Sequence, residues 1–460
     1  MTVSLPDDLI VGVSGFRGRV ARPLTPELIA ALAAHFGDFL RSEGEESRVV
    51  ILGRDSRTSG EMYVDAARAG LLSVGMDVVD VGIVPTPTLL LAAEDEGAAG
   101  ALGVTASHNP SDWNALKFGS GEGLFLDAAT MGRFREFLDE GVPRRADWNE
   151  LGRATEDPDA VTRHIDRILE LPLLEVDRIR ARGFHVAVDG VHGAAGVILP
   201  RLLEALGCRV EEMGMEPDGW FPREPEPIPE NLGGLGELVR STGAELGFAL
   251  DPDVDRLSLV DGKGVAVGED LTLALSAAVA LERERGPVVT NLSTSQVVED
   301  VARAARVPCV RAPVGEINVA RRMEVESAVI GGEGNGGVIL PQLHLTRDAP
   351  LGVALILQHL LAQECTLREA VDRWPRYHIV KDKAALPRER VAEAYETLES
   401  EMAPAETDTQ DGLRMSWPEE REWLHVRPSG TEPVVRFIAE SPDRDRSLRL
   451  VERARRTLGA

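Results

Sequence analysis

The chain is poor in cysteine and has no long apolar run, and both absences limit what it can be. Its 460 residues contain three cysteines, Cys208, Cys309 and Cys365. Their odd number, wide spacing and apolar surroundings predict buried free thiols rather than disulfides or a zinc site. No stretch approaches the roughly 18 to 20 apolar residues that span a bilayer, and the first residues lack a basic segment followed by an apolar one. We therefore expect a cytoplasmic protein that does not bind membranes.

Lysine is also scarce, and acidic residues outnumber basic ones. The chain has 50 basic and 76 acidic residues and a net charge of −26, which opposes binding to nucleic acid or to an anionic membrane. We expect small molecules as partners. We expect the protein to be a monomer or a homodimer. Four of the basic residues are lysines, Lys117, Lys263, Lys381 and Lys383, as in a salt-adapted proteome or a GC-rich genome, and composition does not separate these origins. A lysine inside a motif is therefore informative.

The chain does contain a repeated pattern, in which a β-branched run, a polar turn, a helical stretch and a second apolar run follow one another. The copies are "RVVILGRDSRTSG…GMDVVDVG", "HVAVDGVHGAAG…GCRVEEMG" and "PVVTNLSTSQ…VPCVRAPVG". Each has the size of a βαβ unit, which predicts three successive similar α/β domains. A change of character near Trp374 predicts a smaller C-terminal α+β domain. The predicted domains are 1–155, 156–256, 257–372 and 373–460.

The stretch 103–110, "GVTASHNP", places a hydroxyl beside an imidazole on a turn. Ser107 with His108 is compatible with a nucleophile and its base. Adjacent residues on a turn rarely face each other, however, and the Gly-x-Ser-x-Gly pattern of hydrolases is absent. The alternative is a plain turn in which Ser107 and Asn109 bond to the local backbone. This segment alone leaves both interpretations open.

Three carboxylates follow an apolar strand in "GFALDPDVDRL". The spacing of Asp251, Asp253 and Asp255 places them on one side of an extended chain, where they repel one another unless a cation neutralises them. Oxygen ligands suit Mg²⁺, and an EF-hand is excluded because Arg256 and Gly262 stand where that loop needs glycine and glutamate. A solvated acidic turn is the alternative.

The segment 426–433, "VRPSGTEP", combines a guanidinium, hydroxyls and free backbone N–H groups in one turn. Such a set suits a phosphate group, and the alternative is an ordinary Pro/Gly turn. The residues concerned are Arg427, Ser429, Gly430 and Thr431.

The segment 331–337, "GGEGNGG", follows the apolar stretch "SAVI". Its glycines let the backbone approach a ligand, and Glu333 and Asn335 offer acceptors and donors for hydroxyl groups. A flexible hairpin is the alternative.

In chain order, these motifs resemble the α-D-phosphohexomutase family, which includes phosphoglucomutases, phosphomannomutases and phosphoglucosamine mutases. The resemblance covers nearly the whole chain through "SGFRG", "GRDSRTSG", "TASHNP", "DPDVDR", "GEGNGG" and "RPSGTEP", and it implies four domains around a central cleft. The chain departs from the family in one loop. Many members have Gly-Glu-x-Ser-Gly-His there, whereas Asn335, Gly336 and Gly337 end the loop in this chain.

The resemblance implies a role for each motif residue, with Ser107 carrying a phosphoryl group. The implied Mg²⁺ ligands are Ser107, Asp251, Asp253 and Asp255. Lys117 is the expected general acid/base, helped by His108, and Arg17 is expected near the phosphoserine. The expected substrate-binding residues are Glu333 and Asn335 for sugar hydroxyls, Arg427, Ser429, Gly430 and Thr431 for the non-reacting phosphate, and Arg256.

The resemblance also implies a reaction. Ser107 donates its phosphoryl group to a hexose monophosphate, and a hexose or hexosamine 1,6-bisphosphate turns over before its other phosphate returns to the serine. "SDWNALKF" and "GEGNGGVILPQLHLTRDA" resemble a bacterial and archaeal branch assigned to glucosamine phosphates, which favours interconversion of glucosamine 6-phosphate and glucosamine 1-phosphate. Mannose or glucose phosphate with the same mechanism is the alternative. A sugar-phosphate phosphatase and a non-catalytic sugar-phosphate sensor are more distant alternatives.

Overall fold

The computed structural model describes residues 5–386, 390–428 and 434–459. These residues form four β-sheets, of which the first three are mixed and the fourth is antiparallel. The four sheets follow one another along the chain, so each marks a domain. Three α/β domains and a smaller α+β domain were predicted, and this architecture is confirmed.

The first sheet has the strand order β1-β2-β6-β5-β3-β4-β7. Its strands are β1 (Ile10–Gly12), β2 (Gly15–Arg19), β3 (Val49–Arg54), β4 (Asp77–Ile83), β5 (Gly100–Val104), β6 (Trp113–Ser120) and β7 (Ala154–Glu156). Its helices are α1 (Pro26–Ser42), α2 (Gly60–Leu72), α3 (Thr86–Asp95) and α4 (Ala128–Asp139). Strands β5, β3, β4 and β7 are parallel, and β6 runs antiparallel to β5.

The second sheet has the order β11-β10-β8-β9. Its strands are β8 (His185–Asp189), β9 (Arg209–Met213), β10 (Leu246–Leu250) and β11 (Leu257–Asp261). Helices α5 (Ala160–Leu169), α6 (Val176–Arg182), α7 (Ala195–Ala205) and α8 (Gly233–Thr242) accompany it, with a 3₁₀ turn at Pro229–Asn231. Because β11 pairs with β10, this sheet continues past residue 256, where the sequence places a domain boundary.

The third sheet has the order β13-β12-β14-β15. Its strands are β12 (Val288–Asn291), β13 (Cys309–Ala312), β14 (Ile330–Glu333) and β15 (Gly337–Ile339). Its helices are α9 (Asp270–Arg283), α10 (Val297–Ala305), α11 (Glu316–Glu326), α12 (Ala349–Gln363) and α13 (Leu367–Asp372).

The predicted repeat corresponds to the units β3-α2-β4, β8-α7-β9 and β12-α10-β13, whose strands pair in parallel. In each domain a further parallel strand, β5, β10 or β14, turns back into an antiparallel neighbour, β6, β11 or β15. These three equivalent turns carry Ser107, the Asp251 to Asp255 cluster and the loop after Glu333. The repeat therefore brings three different chemical groups to the same edge of three similar sheets.

The C-terminal sheet has the order β16-β20-β19-β18-β17. Its elements are β16 (His378–Ala385), α14 (Val391–Met402), β17 (Glu406–Asp408), β18 (Leu413–Trp417), β19 (Glu422–Pro428), β20 (Val434–Ser441) and α15 (Arg444–Leu458). The sequence did not predict β16 or β17. The central residues of β16, "KDK", are charged and mostly exposed, which hides the apolar alternation of a strand.

Apolar packing divides the molecule unequally. One continuous cluster of buried side chains joins the first three domains and includes Ile51, Leu199 and Leu275. The C-terminal domain packs around its own cluster, which includes Phe437 and Val451. Its contacts with the third domain at Asp411 and Ser293, described below, are polar.

The cysteines and the helices bear on two expectations from the sequence, free buried thiols and the absence of a membrane span. Cys208, Cys309 and Cys365 are unpaired, and they are partly rather than fully buried. Among the helices of the described ranges, none combines the length and the apolar character that crossing a bilayer requires.

Candidate active site

A cleft of about 740 Å³ is lined by residues of all four domains. The structure brings together at this cleft most of the predicted site residues: Arg17, Ser107, His108, Lys117, Arg256, Glu333, Asn335 and Arg427. Asp251, Asp253 and Asp255 lie beneath its floor and have no exposed surface. The predicted residues Ser429, Gly430 and Thr431 lie outside the described residues.

Ser107 stands on the turn that follows β5. Its backbone has a positive φ of 48°, and its hydroxyl donates to Asp251 Oδ2 at 3.1 Å. The Oγ atom is also 3.4 Å from His108 Nδ1. Only 5% of the residue is exposed, so the serine lies at the base of the cleft, where a ligand displaces water from around it.

Arg57, which the sequence reasoning missed, holds this turn from below. The guanidinium has no exposed surface, and Nε donates to Asp55 Oδ2 at 3.0 Å. The remaining N–H groups donate to the backbone carbonyls of Ser107, Asn109, Pro110 and Trp113 at 2.6 to 2.9 Å. The turn is therefore fixed by a side chain about fifty positions away. The motif "GRDSRTSG" does not by itself predict this contact.

The three aspartates converge on one point. One ligand atom from each lies within 4.8 Å of the others, and Asp253 Oδ1 and Asp255 Oδ1 have no hydrogen-bond partner although they are buried. Burial and the charges of Asp255 and Asp253 raise the pKa of Asp251 well above its ordinary value. Buried carboxylate oxygens without a hydrogen-bond partner fit Mg²⁺, which prefers oxygen ligands.

Lys117 connects this cluster to the cleft. Its Nζ donates to Asp253 Oδ2 at 2.8 Å, an oxygen that also accepts from Thr86 Oγ1. Burial works to raise the pKa of Asp253, but the Lys117 ammonium outweighs it and holds the pKa far below its usual range. Asp253 is therefore a fixed negative charge, paired on one oxygen and open on the other.

Further cations surround Ser107. Arg17 donates from Nη1 to Asn109 Oδ1 at 2.8 Å, on the same turn. The Arg256 cation, together with burial, lowers the pKa of His108 well below its ordinary value, so this imidazole is neutral at pH 7. Arg256 itself pairs with Glu226, whose side chain is 39% exposed at the cleft. The surroundings of Ser107 thus suit a group with more than one negative charge.

Glu333 ends β14 and is held from several sides. Its Oε1 accepts from Asn291 Nδ2 at 2.7 Å and from the Gly315 N–H at 3.0 Å. Its Oε2 accepts from Arg347 Nη1 at 2.8 Å. Burial raises the pKa of Glu333, but Arg347 more than offsets this effect, and the net pKa is below its ordinary value. The neighbouring Asn335 accepts from the Gly337 N–H at 3.2 Å, which shapes the loop.

Arg347, also missed from the sequence, joins the turn that carries Asp255 to the loop that follows Glu333. Its guanidinium contacts Asp255, Glu316 and Glu333. One arginine therefore fixes the relative position of a predicted metal ligand and a predicted sugar contact. The only signal for it is the position of "TRD" shortly after the glycine loop.

The C-terminal domain contributes a cationic side of the cleft, formed by Lys381, Arg427 and Arg436. Arg427 lies at the end of β19, and its Nε is 3.1 Å from Asp411 Oδ2. The angle makes this contact an ion pair rather than an aligned hydrogen bond. The Nη atoms of Arg427 are the part of the side chain that this pair leaves for a ligand.

The chain matches the family models for phosphoglucomutase/phosphomannomutase along nearly its whole length. The α/β/α domains I, II and III match residues 8–140, 162–264 and 268–377, and the C-terminal domain matches 379–457.

Individual proteins agree with the models. A phosphoglucomutase/phosphomannomutase of Thermococcus kodakarensis is 36% identical, covering 96% of this chain and 97% of its own. A probable phosphoglucosamine mutase of Methanopyrus kandleri is 37% identical, with 95% of each chain covered. The crystal structure of a phosphoglucomutase/phosphomannomutase family protein from Burkholderia thailandensis superposes with a TM-score of 0.83 at 26% identity, covering 97% and 96% of the two chains. The chain therefore belongs to the phosphoglucomutase/phosphomannomutase family of phosphohexomutases.

Proposed function

We propose that the chain interconverts glucosamine 6-phosphate and glucosamine 1-phosphate through a phosphorylated Ser107. The observation that carries the mechanism is the position of Ser107 Oγ, 3.1 Å from Asp251 Oδ2 at the base of a cleft that Arg427 also lines. A nucleophile beside an acidic cluster and a distant phosphate-binding cation are the parts that a mutase needs.

The chain's own groups support each step. Phosphoserine carries about −1.5 to −2 charges, which Arg17, Arg256 and Lys117 offset. Asp251, Asp253 and Asp255 would hold Mg²⁺, which supplies Lewis-acid stabilisation of the transferring phosphoryl group when bound. Lys117 and His108 are the proposed proton-transfer groups, because both line the cleft beside Ser107.

The second half of the reaction uses the C-terminal domain. The phosphoryl group of Ser107 moves to the free hydroxyl of the hexose monophosphate, whose proton passes to the enzyme, and a 1,6-bisphosphate results. After the bisphosphate turns over, its other phosphate returns to Ser107. Arg427, with the loop that follows it, is the proposed site for whichever phosphate is not reacting, while Glu333 and Asn335 hold the sugar hydroxyls.

The amino group of the sugar is a cation when protonated, so its binding favours a carboxylate that has an oxygen free to accept a hydrogen bond from it. Glu333 is poorly placed for it, because the residue is 4% exposed and both of its carboxylate oxygens already accept hydrogen bonds within the protein. Glu226 is the better candidate, since it lines the cleft, is partly exposed and pairs through one oxygen with Arg256. The names of relatives support both this substrate and the alternative, mannose or glucose phosphate, to similar degrees.

Parallel assays decide the substrate. We expect kcat/KM to be highest for glucosamine 1-phosphate when glucosamine, glucose and mannose 1-phosphates are compared with catalytic hexose bisphosphate present. Glu226→Gln should lower kcat/KM for the amino sugar about tenfold, because a charged hydrogen bond is lost, and should spare the other two substrates. Glu230→Gln, an exposed change in the same loop, is the control. A higher kcat/KM for glucose or mannose phosphate would refute the glucosamine assignment and favour a phosphomannomutase/phosphoglucomutase.

The phosphoserine has its own test. Ser107→Ala should abolish mutase turnover and remove one phosphate from the intact mass of the protein, while leaving the fold intact. Near-normal turnover in this variant would refute the mechanism.

A further inference from the structure

Asp411 occupies a turn between β17 and β18 that lies directly against Arg427. The next residue, Gly412, has a φ of 83°, and a Cβ atom there would meet the Val426 carbonyl oxygen at 2.5 Å and Arg427 Cα at 2.9 Å. Glycine is therefore required for this close approach. The approach brings the Asp411 carboxylate beside the guanidinium of Arg427.

One oxygen of Asp411 serves two domains. Oδ2 lies 3.1 Å from Arg427 Nε within the C-terminal domain, and it accepts from the Val314 N–H of the third domain at 3.1 Å. The ion pair draws the Nε edge of the guanidinium towards Asp411, and the two Nη atoms are the fork that a phosphate would meet. The same oxygen thus orients a ligand-binding side chain and attaches its domain to the neighbouring one.

In the third domain, the Val314 N–H that bonds to Asp411 is next to a hydrogen-bond donor to Glu333. The residue after Val314 is Gly315, whose N–H donates to Glu333 Oε1 at 3.0 Å. Consecutive peptide groups therefore hold Asp411 of one domain and Glu333 of the other. A shift of the segment at Val314 moves the donor of Glu333 with it.

A second contact runs in parallel. His425 Nε2 donates to the Asp411 carbonyl oxygen at 2.5 Å, so its Nδ1 accepts from the Ser293 hydroxyl at 2.9 Å. Ser293 in turn donates its N–H to Asn291 Oδ1, and Asn291 donates to Glu333. Both paths from the C-terminal domain end at the same carboxylate.

We propose that Asp411 is a positioning residue that couples phosphate binding at Arg427 to the placement of Glu333. The C-terminal domain has a separate apolar core, so polar contacts such as this one set how it sits on the third domain. A phosphate held by Arg427 orders the guanidinium, Asp411 and the Val314–Gly315 segment together, and Glu333 is then in place for the sugar. This inference rests on the roles that the proposed function gives to Arg427 and Glu333.

A mutational cycle tests the coupling. We would measure kcat/KM of the best hexose phosphate for Arg427→Lys, Glu333→Gln and the double variant, each with Asp411 intact and with Asp411→Asn. With Asp411 intact, the double variant should lose about tenfold less than the product of the single losses, as expected for residues that act as a unit. With Asp411→Asn, the losses should multiply to within about twofold. Asp382→Asn changes a partly exposed carboxylate of the same sheet that pairs with Arg455, and this control should behave as Asp411 intact.

The outcomes distinguish a failure of the roles proposed for Arg427 and Glu333 from a failure of the coupling through Asp411. Single variants without effect would overturn the roles of Arg427 and Glu333, and the coupling with them. Additive losses with Asp411 intact, or unchanged non-additivity with Asp411→Asn, would overturn the coupling alone.

A second measurement does not need turnover. Hydrogen exchange with inorganic phosphate as the probe should show phosphate-dependent slowing in residues 309–318 and 330–338 of the wild type, and none there in Asp411→Asn or Arg427→Lys. Equal slowing in Asp411→Asn and wild type would overturn the proposal.

Discussion

Replacing Arg57 with lysine keeps the positive charge beneath the Ser107 turn but removes two hydrogen-bond donors. All five N–H groups of Arg57 have acceptors, namely one carboxylate oxygen and four backbone carbonyls. Lysine has three donors, so at least two of these hydrogen bonds are lost. Asp55 Oδ2 keeps a donor in Thr105 and the Pro110 carbonyl keeps one in the Trp113 N–H, so the cost is that of the lost hydrogen bonds rather than of unsatisfied acceptors. A hydrogen bond to a charged group contributes about 1.5–3 kcal/mol, and Arg57→Lys should therefore lower the free energy of unfolding by about 3–6 kcal/mol.

Activity should fall as well. The carbonyls that Arg57 holds belong to the turn that carries Ser107, and a misplacement of about 1 Å costs about a hundredfold in rate. We expect kcat to drop at least about tenfold at temperatures where circular dichroism shows the variant folded.

Urea unfolding measures the stability change, with Arg133→Lys as the matched control. Arg133 pairs with Glu43 at the surface of the same domain, so its replacement should stay within about 0.5 kcal/mol of wild type. If Arg57→Lys matched this control in both stability and kcat, the assignment of Arg57 as the support of the turn would be refuted.

Two further predictions concern charge. Asp251→Asn removes one of three mutually repelling carboxylates, so without Mg²⁺ the variant should be at least as stable as wild type in calorimetry; an increase in Tm with Mg²⁺ equal to that of wild type would contradict the metal site. Burial lowers the pKa of His425 from 6.5 to about 4, so the unfolded chain binds a proton in this interval that the folded chain does not. The free energy of unfolding should therefore fall by up to about 3 kcal/mol as the pH drops from 6.5 to 4, and His425→Gln should flatten this slope in urea unfolding at several pH values; an unchanged slope would contradict it.

The sequence predicts those parts of the site whose residues all lie in a single turn. "TASHNP", "DPDVDR" and "GEGNGG" each concentrate polar groups directly after an apolar strand, and the structure places these turns at equivalent positions of three similar sheets. The βαβ repeat is visible for the same reason, because each unit is local in sequence. A pattern confined to about 30 residues carries its own structural context.

The parts that the sequence does not predict depend on contacts between distant residues. Arg57 bonds to carbonyls about fifty residues away, and Arg347 joins Asp255 to a residue in another loop. The sequence presents both as arginines among many. Glu333 shows the consequence, since its bonds to Asn291, Gly315 and Arg347 depend on residues outside its own loop. Strand β16 was missed for another reason, because its charged centre conceals a period that pairing with β20 imposes.

The scarcity of lysine leads to a last prediction, for Lys117→Arg. All but four of the 50 basic residues are arginines, yet this buried position in a predicted motif holds a lysine. Its ammonium sits 2.8 Å from Asp253 Oδ2 and 5.2 Å from the centre of the Phe125 ring. A guanidinium is wider and planar, so it must push Asp253 away from the other two aspartates.

We therefore expect Lys117→Arg to lower kcat at least about tenfold, the rate cost of a modest misplacement, although charge is conserved. Lys263→Arg, on the exposed turn after β11, is the control and should keep kcat within about twofold, as surface changes do. Equal kcat in the two variants would mean that charge alone is needed at position 117. A selective loss would mean that position 117 needs lysine itself, for the compact shape that keeps the aspartates together or for the proposed proton transfer, which a guanidinium cannot perform.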